Sequence, residues 1–322
     1  MSVVRLATVG MTVVACASPA PMHTARLAPA VTGRDGRIYL IGGLDSSNFP
    51  IASVEAYDVE TNTWTDASPL PQPTSLLGAA LGKDGRIYAV GGSTASGEAT
   101  AQVEAFDPKG DSWAPVDPLP RPRTSLSVAS GGDGRIYAIG GEVPADGGTL
   151  ASTNEVDAYD PSTHVWAAAP PCPGTTGPAA GAPDGRIYVL GASPYVFDPA
   201  TNAWAPLPAL PSGISGAYGV TAGVDGRIYA IGGETKGLPC NVPDEPCAAM
   251  TGPVEIFDPV ARTWSAGPGM PRPADAPGLA TGLDGRIYAA GGSASVEFEG
   301  QYEDKAVPYL QVFIPSSSSW WD

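Results

Sequence analysis

The chain has 322 residues and a formal net charge of −16, and Gly (41) and Pro (35) make up nearly a quarter of it. So acidic a chain argues against a nucleic-acid partner, because phosphate contacts need clustered Lys and Arg. With 43% hydrophobic residues and seven Trp it is too apolar for a disordered chain, and no apolar run reaches the 18 residues of a transmembrane helix.

The first sixteen residues, MSVVRLATVGMTVVAC, admit two readings. The stretch ATVGMTVVACA reads as a β-strand, which leaves the protein cytoplasmic. The same residues, with one Arg, a short apolar run and Val13-Val14-Ala15-Cys16, resemble a bacterial lipoprotein signal, which would export the protein and anchor it at Cys16. The next stretch, ASPAPMHTARLAPAV (Ala17–Val31), runs parallel to ASPLPQPTSLLGAAL (Ala67–Leu81).

From Asp35 onward the chain repeats itself. DGRIY occurs at Asp35, Asp84, Asp133, Asp184, Asp225 and Asp284, at spacings of 49, 49, 51, 41 and 59 residues. Five copies lead into a glycine pair, such as Gly42–Gly43 and Gly91–Gly92; the fourth reads Gly191–Ala192. Then comes an aromatic residue, and seven residues later a Trp: Tyr57/Trp64, Phe106/Trp113, Tyr159/Trp166, Phe197/Trp204, Phe257/Trp264 and Phe313/Trp320. Six copies of one motif point to architecture, since a catalytic group is needed once. Each repeat reads as four strands: a run of small residues such as GPAAGA, an Asp-Gly two-residue turn, RIYAIGG, then VEAFD and the Trp strand. The DGR arginines are expected to pair with a neighbouring blade.

Three spaced elements recurring six times resemble the kelch repeat over essentially the whole chain, at the period of that family. The resemblance implies an all-β, six-bladed propeller with four antiparallel strands per blade, residues 1–322 forming one domain. The N- and C-terminal segments are expected to close the ring, residues 9–17 pairing with 309–315, because the chain stops two residues after Trp320. A monomer is expected.

Function is sought where the repeats disagree. The 2–3 loops and the connections between blades diverge, and they share one face of the disc. Arg26, Arg121, Arg123 and Arg272 lie there, in a chain with only four Lys. They are either forks for a sugar acid or other anion, or struts paired with loop acids such as Glu142, Asp146, Glu234 or Asp275. Tyr195, Tyr218, Phe298 and Tyr302 are placed near the same face, to stack on a ligand or simply to pack. Cys240 and Cys247, in the longest insertion, are candidates for a local disulfide; Cys16 and Cys172 are not expected to pair.

The chemistry is narrow. Only His23 and His164 exist, on opposite faces, and no G-x-S-x-G occurs, so neither a Ser-His-Asp site nor a multi-His metal centre is expected. The copper ligands of kelch oxidases and the sialidase Asp-box are missing, no cofactor is expected, and the first strands carry no titratable residue along the channel. Two functions remain: a platform binding a protein loop or small molecule on the variable face, or a cofactor-free mutarotase-, epimerase- or cyclase-like enzyme. The second would use Glu142 or Glu234 as base, each directly after a glycine pair.

Overall fold

Hairpins follow one another along the chain, and the glycine of each DGR sets where they turn. Gly36, Gly85, Gly134, Gly185, Gly226 and Gly285 all have φ between 77° and 89°, the left-handed region that costs a glycine nothing. In the second copy Gly82 N–H donates to Arg86 O at 2.8 Å and Gly85 N–H to Gly82 O at 2.9 Å. This is a three-residue loop ending in a left-handed glycine, in place of the expected two-residue Asp-Gly turn. The Asp is the bracket of the motif. Asp84, Asp133, Asp184, Asp225 and Asp284 each accept the N–H of their own Arg with Oδ1 and the Tyr hydroxyl with Oδ2, the latter at 2.7–2.8 Å.

The computed structural model describes residues 18–27, 30–34, 36–174, 176–211, 214–215, 218–235, 249–250, 252–298 and 301–321. Six four-stranded antiparallel sheets succeed each other, every one built from a continuous piece of chain. Blade 1 runs Ala30–Arg34, Arg37–Ile41, Val54–Asp58, Thr63–Ala67; blade 6 runs Gly278–Thr281, Ile287–Ala290, Leu310–Ile314, Ser319–Trp321. The first strands touch in cyclic order around the axis, blade 6 returning to blade 1, so the fold is a six-bladed β-propeller. Glycine and alanine are required there by space: a Cβ on Gly78 would run into Val128 of the next blade. The only helix-like element among the described residues is a 3-10 turn at Asp146–Gly148, and no helix among them is long and apolar enough to cross a membrane.

The interval of seven is a hairpin register. Each aromatic lies opposite its Trp, from Tyr57↔Trp64 to Phe313↔Trp320, with ring centroids 4.9–5.3 Å apart. The Tyr of each RIY then meets the aromatic of the following blade: Tyr39–Phe106, Tyr88–Tyr159, Tyr137–Phe197, Tyr188–Phe257, Tyr229–Phe313 and, across the closure, Tyr288–Tyr57 at 5.8 Å. The core is accordingly six apolar clusters, one between each pair of blades. One twisted sheet cannot bury both faces, so neighbours supply the missing layer.

A second ring runs along the edge. Each Trp indole N–H donates to a carbonyl in the strand exit of the preceding blade: Trp113 to Ser68, Trp166 to Asp117, Trp204 to Pro170, Trp264 to Pro208 and Trp320 to Pro268. For blade 1 the acceptor is Ala20, to which Trp64 donates at 2.7 Å. Residues 18–27 thus do for blades 6 and 1 what the inter-blade connections do elsewhere, and Met22 N–H donates to Pro308 O at 3.0 Å. Ser319–Trp321 forms the fourth strand of blade 6. The strand expected over residues 9–17 lies outside the described residues, as does Cys16.

The DGR arginines form their ion pairs within their own blades and not with a neighbouring blade. Arg86, Arg135 and Arg286 face their own Asp84, Asp133 and Asp284, while Arg37, Arg186 and Arg227 face Asp58, Asp198 and Asp258 on the third strand of the same blade. The first strand of blade 1 runs to Arg34, whose side chain is not described.

Candidate functional site

Connections and 2–3 loops meet on one face because both leave the strands at the same end. In blade 3 the loop is a hairpin, Glu142–Pro144 with Leu150–Ser152; in blade 6 it is Ser293–Phe298 with Gln301–Ala306. In blade 5, Glu234–Thr235 pairs with Ile214–Ser215 and with Ala249–Met250. Each loop of blades 1, 2, 3 and 6 is bridged to the connection entering that blade, through Leu27–Leu44, Ser75–Ser93, Thr124–Glu142 and Asp275–Ser293. The variable face is therefore held by backbone, whatever its side chains.

At its centre is a mouth of about 300 Å³ lined by Leu76, Leu77, Ser125, Leu126, Ser127, Ile139, Gly141, Thr176, Gly177, Pro178 and Tyr218. Along the axis lies a channel of about 440 Å³, walled by small first-strand residues with Ser130, Thr221 and Thr281 as its hydroxyls. The mouth offers hydroxyls against aliphatic walls. Ser127 Oγ donates to Gly177 O at 3.0 Å, and the Tyr218 hydroxyl donates to Leu190 O. Burial pushes Tyr218 up to about 12, so it serves as a donor and not as a base near neutral pH. Leu76 (φ 51°) and Ser125 (φ 53°) hold the equivalent rim position of successive blades, and Ser125 N–H donates to Leu76 O at 2.9 Å.

The four arginines divide. Arg26 and Arg123 are fully buried. Arg26 gives Nη2 to Glu55 and Nη1 to Gly42 O and Ser53 O; Arg123 gives Nη2 to Asp157 and Nη1 to Ala138 O and Glu155 O. An anion in solvent cannot reach either, and their partners are third-strand acids, not Glu142, Asp146, Glu234 or Asp275. Burial lowers both guanidinium pKa values and raises that of Asp157, each paired charge opposing the shift. Arg121 is exposed and pairs with Glu155 at 2.7 Å; Arg272, also exposed, lies 4.9 Å over the Tyr309 ring.

The carboxylates and remaining aromatics also scatter. The Glu142 backbone is bridged to Thr124, and its side chain is not in the mouth lining. Glu234 and Tyr302 lie in strands whose side chains are not described, and Cys240 and Cys247 fall outside the described residues. Tyr195 takes, in blade 4, the third-strand register held elsewhere by Glu55, Glu104, Asp157, Glu255 and Gln311. That register row is what sequence reasoning missed. The signal was present across blades, as an Arg in the connection wherever the acid of VEAYD or VDAYD is buried beneath it. Cys172 is a buried free thiol pushed up by burial, and no metal-binding cluster of His, Cys, Asp and Glu occurs among the described residues.

The Kelch motif matches residues 25–71, 79–120 and 123–173, and a second model of the Kelch motif matches 174–211. Beta-scruin of Limulus polyphemus is 44% identical over 61 residues, 19% of this chain and 6% of the relative. Kelch repeat and BTB domain-containing protein 13 of Homo sapiens is 44% identical over 57 residues, 18% of this chain and 12% of that protein. The chain thus spans only a small part of either relative. The structure of YjhT superposes with a TM-score of 0.71 over 93% of this chain and 98% of its own, at 16% identity, which speaks for the fold alone. With motif, register and ring all in place, the chain belongs to the kelch-repeat family.

Proposed function

We propose that this propeller is a binding module whose variable face takes a protein segment, seated at the mouth between blades 2 and 5. The carrying observation is the lining of the mouth, which has hydroxyls, carbonyls and aliphatic walls but no carboxylate or arginine among the described residues. Such a surface suits amide and aliphatic groups of a loop. It does not suit a sugar acid, since the two buried arginines on this face are already neutralised and Arg121 is paired with Glu155. Acid–base chemistry would need paired carboxylates and an arginine around one pocket, and the mouth supplies a donor Tyr in their place.

The test uses Ser125→Phe, which fills the mouth. Leu76 already carries a bulky side chain at the equivalent left-handed position, so the frame tolerates one. Random loop peptides are selected on the wild-type protein and titrated by calorimetry. Ser125→Phe should weaken them at least tenfold with an unchanged Tm, and Arg186→Ala on the opposite face should leave them unaffected. Peptides that bind Ser125→Phe as well as wild type, or that lose affinity in Arg186→Ala, would overturn the proposal.

A further inference from the structure

Blade 2 has the arginine bracket without its arginine. The backbone aligns the positions: Gly292 N–H donates to Arg26 O, Gly92 N–H to Arg123 O, and Gly43 N–H to Thr74 O. Thr74 is therefore the residue in the connection entering blade 2 that corresponds to Arg26 and Arg123. Beneath it the third strand still carries an acid, because Ala89 faces Glu104 as Leu40 faces Glu55 and Ala138 faces Asp157. Blade 6 shows how the pair changes together: Ala274 stands in the arginine position, and neutral Gln311 beneath it exchanges hydrogen bonds with the Arg272 backbone. In blade 2 only one half has changed. Glu104 Oε2 is buried with no hydrogen-bond partner.

A small cavity of about 20 Å³ fills the space, lined by Leu70, Thr74, Gly91, Thr100, Gln102 and Glu104 among others. Gly91, Gln102 and Glu104 are the blade 2 counterparts of Gly42, Ser53 and Glu55, three of the four residues whose oxygens hold the Arg26 guanidinium, the fourth being Thr24. We propose that this slot is a binding site for a guanidinium group, supplied by an arginine side chain of the segment bound on the variable face. A planar fork of N–H donors matches one carboxylate and two carbonyls as an ammonium does not. The slot as it stands has room for about one water, so a guanidinium enters only as the exposed side chains of Gln72 and Gln102, which line it, swing outward. Leu77 lines both the slot and the mouth, so one segment can occupy both. The net charge of −16 favours a cation over an anion.

The inference rests on the binding reading above for its partner, and the slot is tested separately from the mouth. The probe is N-acetyl-arginine methylamide, with the citrulline analogue as neutral isostere and methylguanidinium as the bare head group. Amide NMR shifts at Thr74, Gln102 and Glu104 report binding, and carboxyl NMR follows the titration of Glu104. The arginine probe at millimolar concentration should shift these signals and move the Glu104 titration to lower pH, with the citrulline analogue at least tenfold weaker. Binding should fall at least tenfold in Glu104→Gln. It should vanish in Thr74→Arg, which supplies the guanidinium from within and should raise Tm, a gain absent from Thr74→Arg/Glu104→Gln. Methylguanidinium binding as tightly as the arginine probe would assign the slot to free guanidines, and tighter binding of the arginine probe assigns it to peptide arginine. Equal binding of the citrulline analogue, wild-type binding in Glu104→Gln, or a lower Tm in Thr74→Arg overturns the proposal. Selected peptides blocked by Ser125→Phe but indifferent to Glu104→Gln would remove the slot and keep the mouth. Arginine-probe binding lost in Thr74→Arg, with peptides indifferent to Ser125→Phe, would do the reverse.

Discussion

Replacing Arg123 by Met should be among the most damaging single changes on the variable face, and the geometry gives its size. Arg123 is fully buried, and its removal leaves the Asp157 carboxylate, itself largely buried, with no cation in contact. Breaking one side of a buried pair costs about 3–5 kcal/mol, whereas replacing both sides with apolar groups is often neutral or favourable. Unfolding entropy of about 2 cal/mol/K per residue converts that to a Tm loss of about 4–7 °C for a chain of this length. Denaturant titration should show Arg123→Met strongly destabilised and Arg123→Met/Asp157→Leu restored to within about 1–2 kcal/mol of wild type. Neutral residues at this register are tolerated elsewhere in the ring, as Tyr195 and Gln311. The deficit must also depend on pH. Burial raises the Asp157 pKa in the folded state, and Arg123 is what holds it down. A raised folded pKa contributes stability below the unfolded value, and that stability is lost as pH rises through the folded value. The single variant should therefore be worst near neutral pH and recover towards about pH 4. As control, Arg186→Ala removes a half-exposed pair to Asp198 and should cost at most about 1 kcal/mol. An Arg123→Met no less stable than Arg186→Ala, or a double variant as unstable as the two single losses together, would refute the reasoning.

Two further outcomes follow from the same geometry. Burial raises the Glu104 carboxyl above its ordinary 4.5, so Glu104→Gln should be more stable than wild type at neutral pH, and the difference should close below about pH 4.5, as measured by denaturation across pH. Trp113→Phe keeps an aromatic against Phe106 but loses the indole N–H donated to Ser68 O at 2.7 Å, and should cost about 1–2 kcal/mol by the same assay.

The frame was legible because its causes are local and repeated. A Trp seven residues after an aromatic states a hairpin register, and DGRIY places a left-handed glycine, an Asp acceptor and a Tyr hydroxyl within one turn. Even the closure showed in part, through the parallel between Ala17–Val31 and Ala67–Leu81. The site was less legible because its determinants are remote. Arg26 and Glu55 are 29 residues apart, Arg123 and Asp157 are 34 apart, and each acid looks like an ordinary member of a repeated strand. Charge counting alone makes such arginines look available for an anion. Only setting the six connections beside the six third strands reveals that arginine and acid change together in blades 1, 3 and 6, and that blades 2 and 5 keep the acid without the arginine, with Thr74 and Ile214 in its place; of these two acids it is Glu104 that has a buried oxygen without a partner.

That break bears on how a rigid repeat acquires specificity. In blades 1 and 3 the arginine lies within the chain, so its carboxylate is neutralised from the moment of folding. In blade 2 the same cradle survives above an acid that burial disfavours, and the blade is held together by other means: the Tyr39–Phe106 and Tyr88–Tyr159 contacts, the Trp113 indole bond and the Ser75–Ser93 bridge. Those contacts fix the cradle walls whether or not a cation is present. A guanidinium arriving from outside therefore finds its acceptors already positioned, and the desolvation cost of Glu104 has been met by folding rather than by binding. A single side chain, Thr74 in place of an arginine, is enough to turn an internal brace into a receptor. A propeller can make that exchange in one blade without disturbing the other five, because each blade contacts only its neighbours.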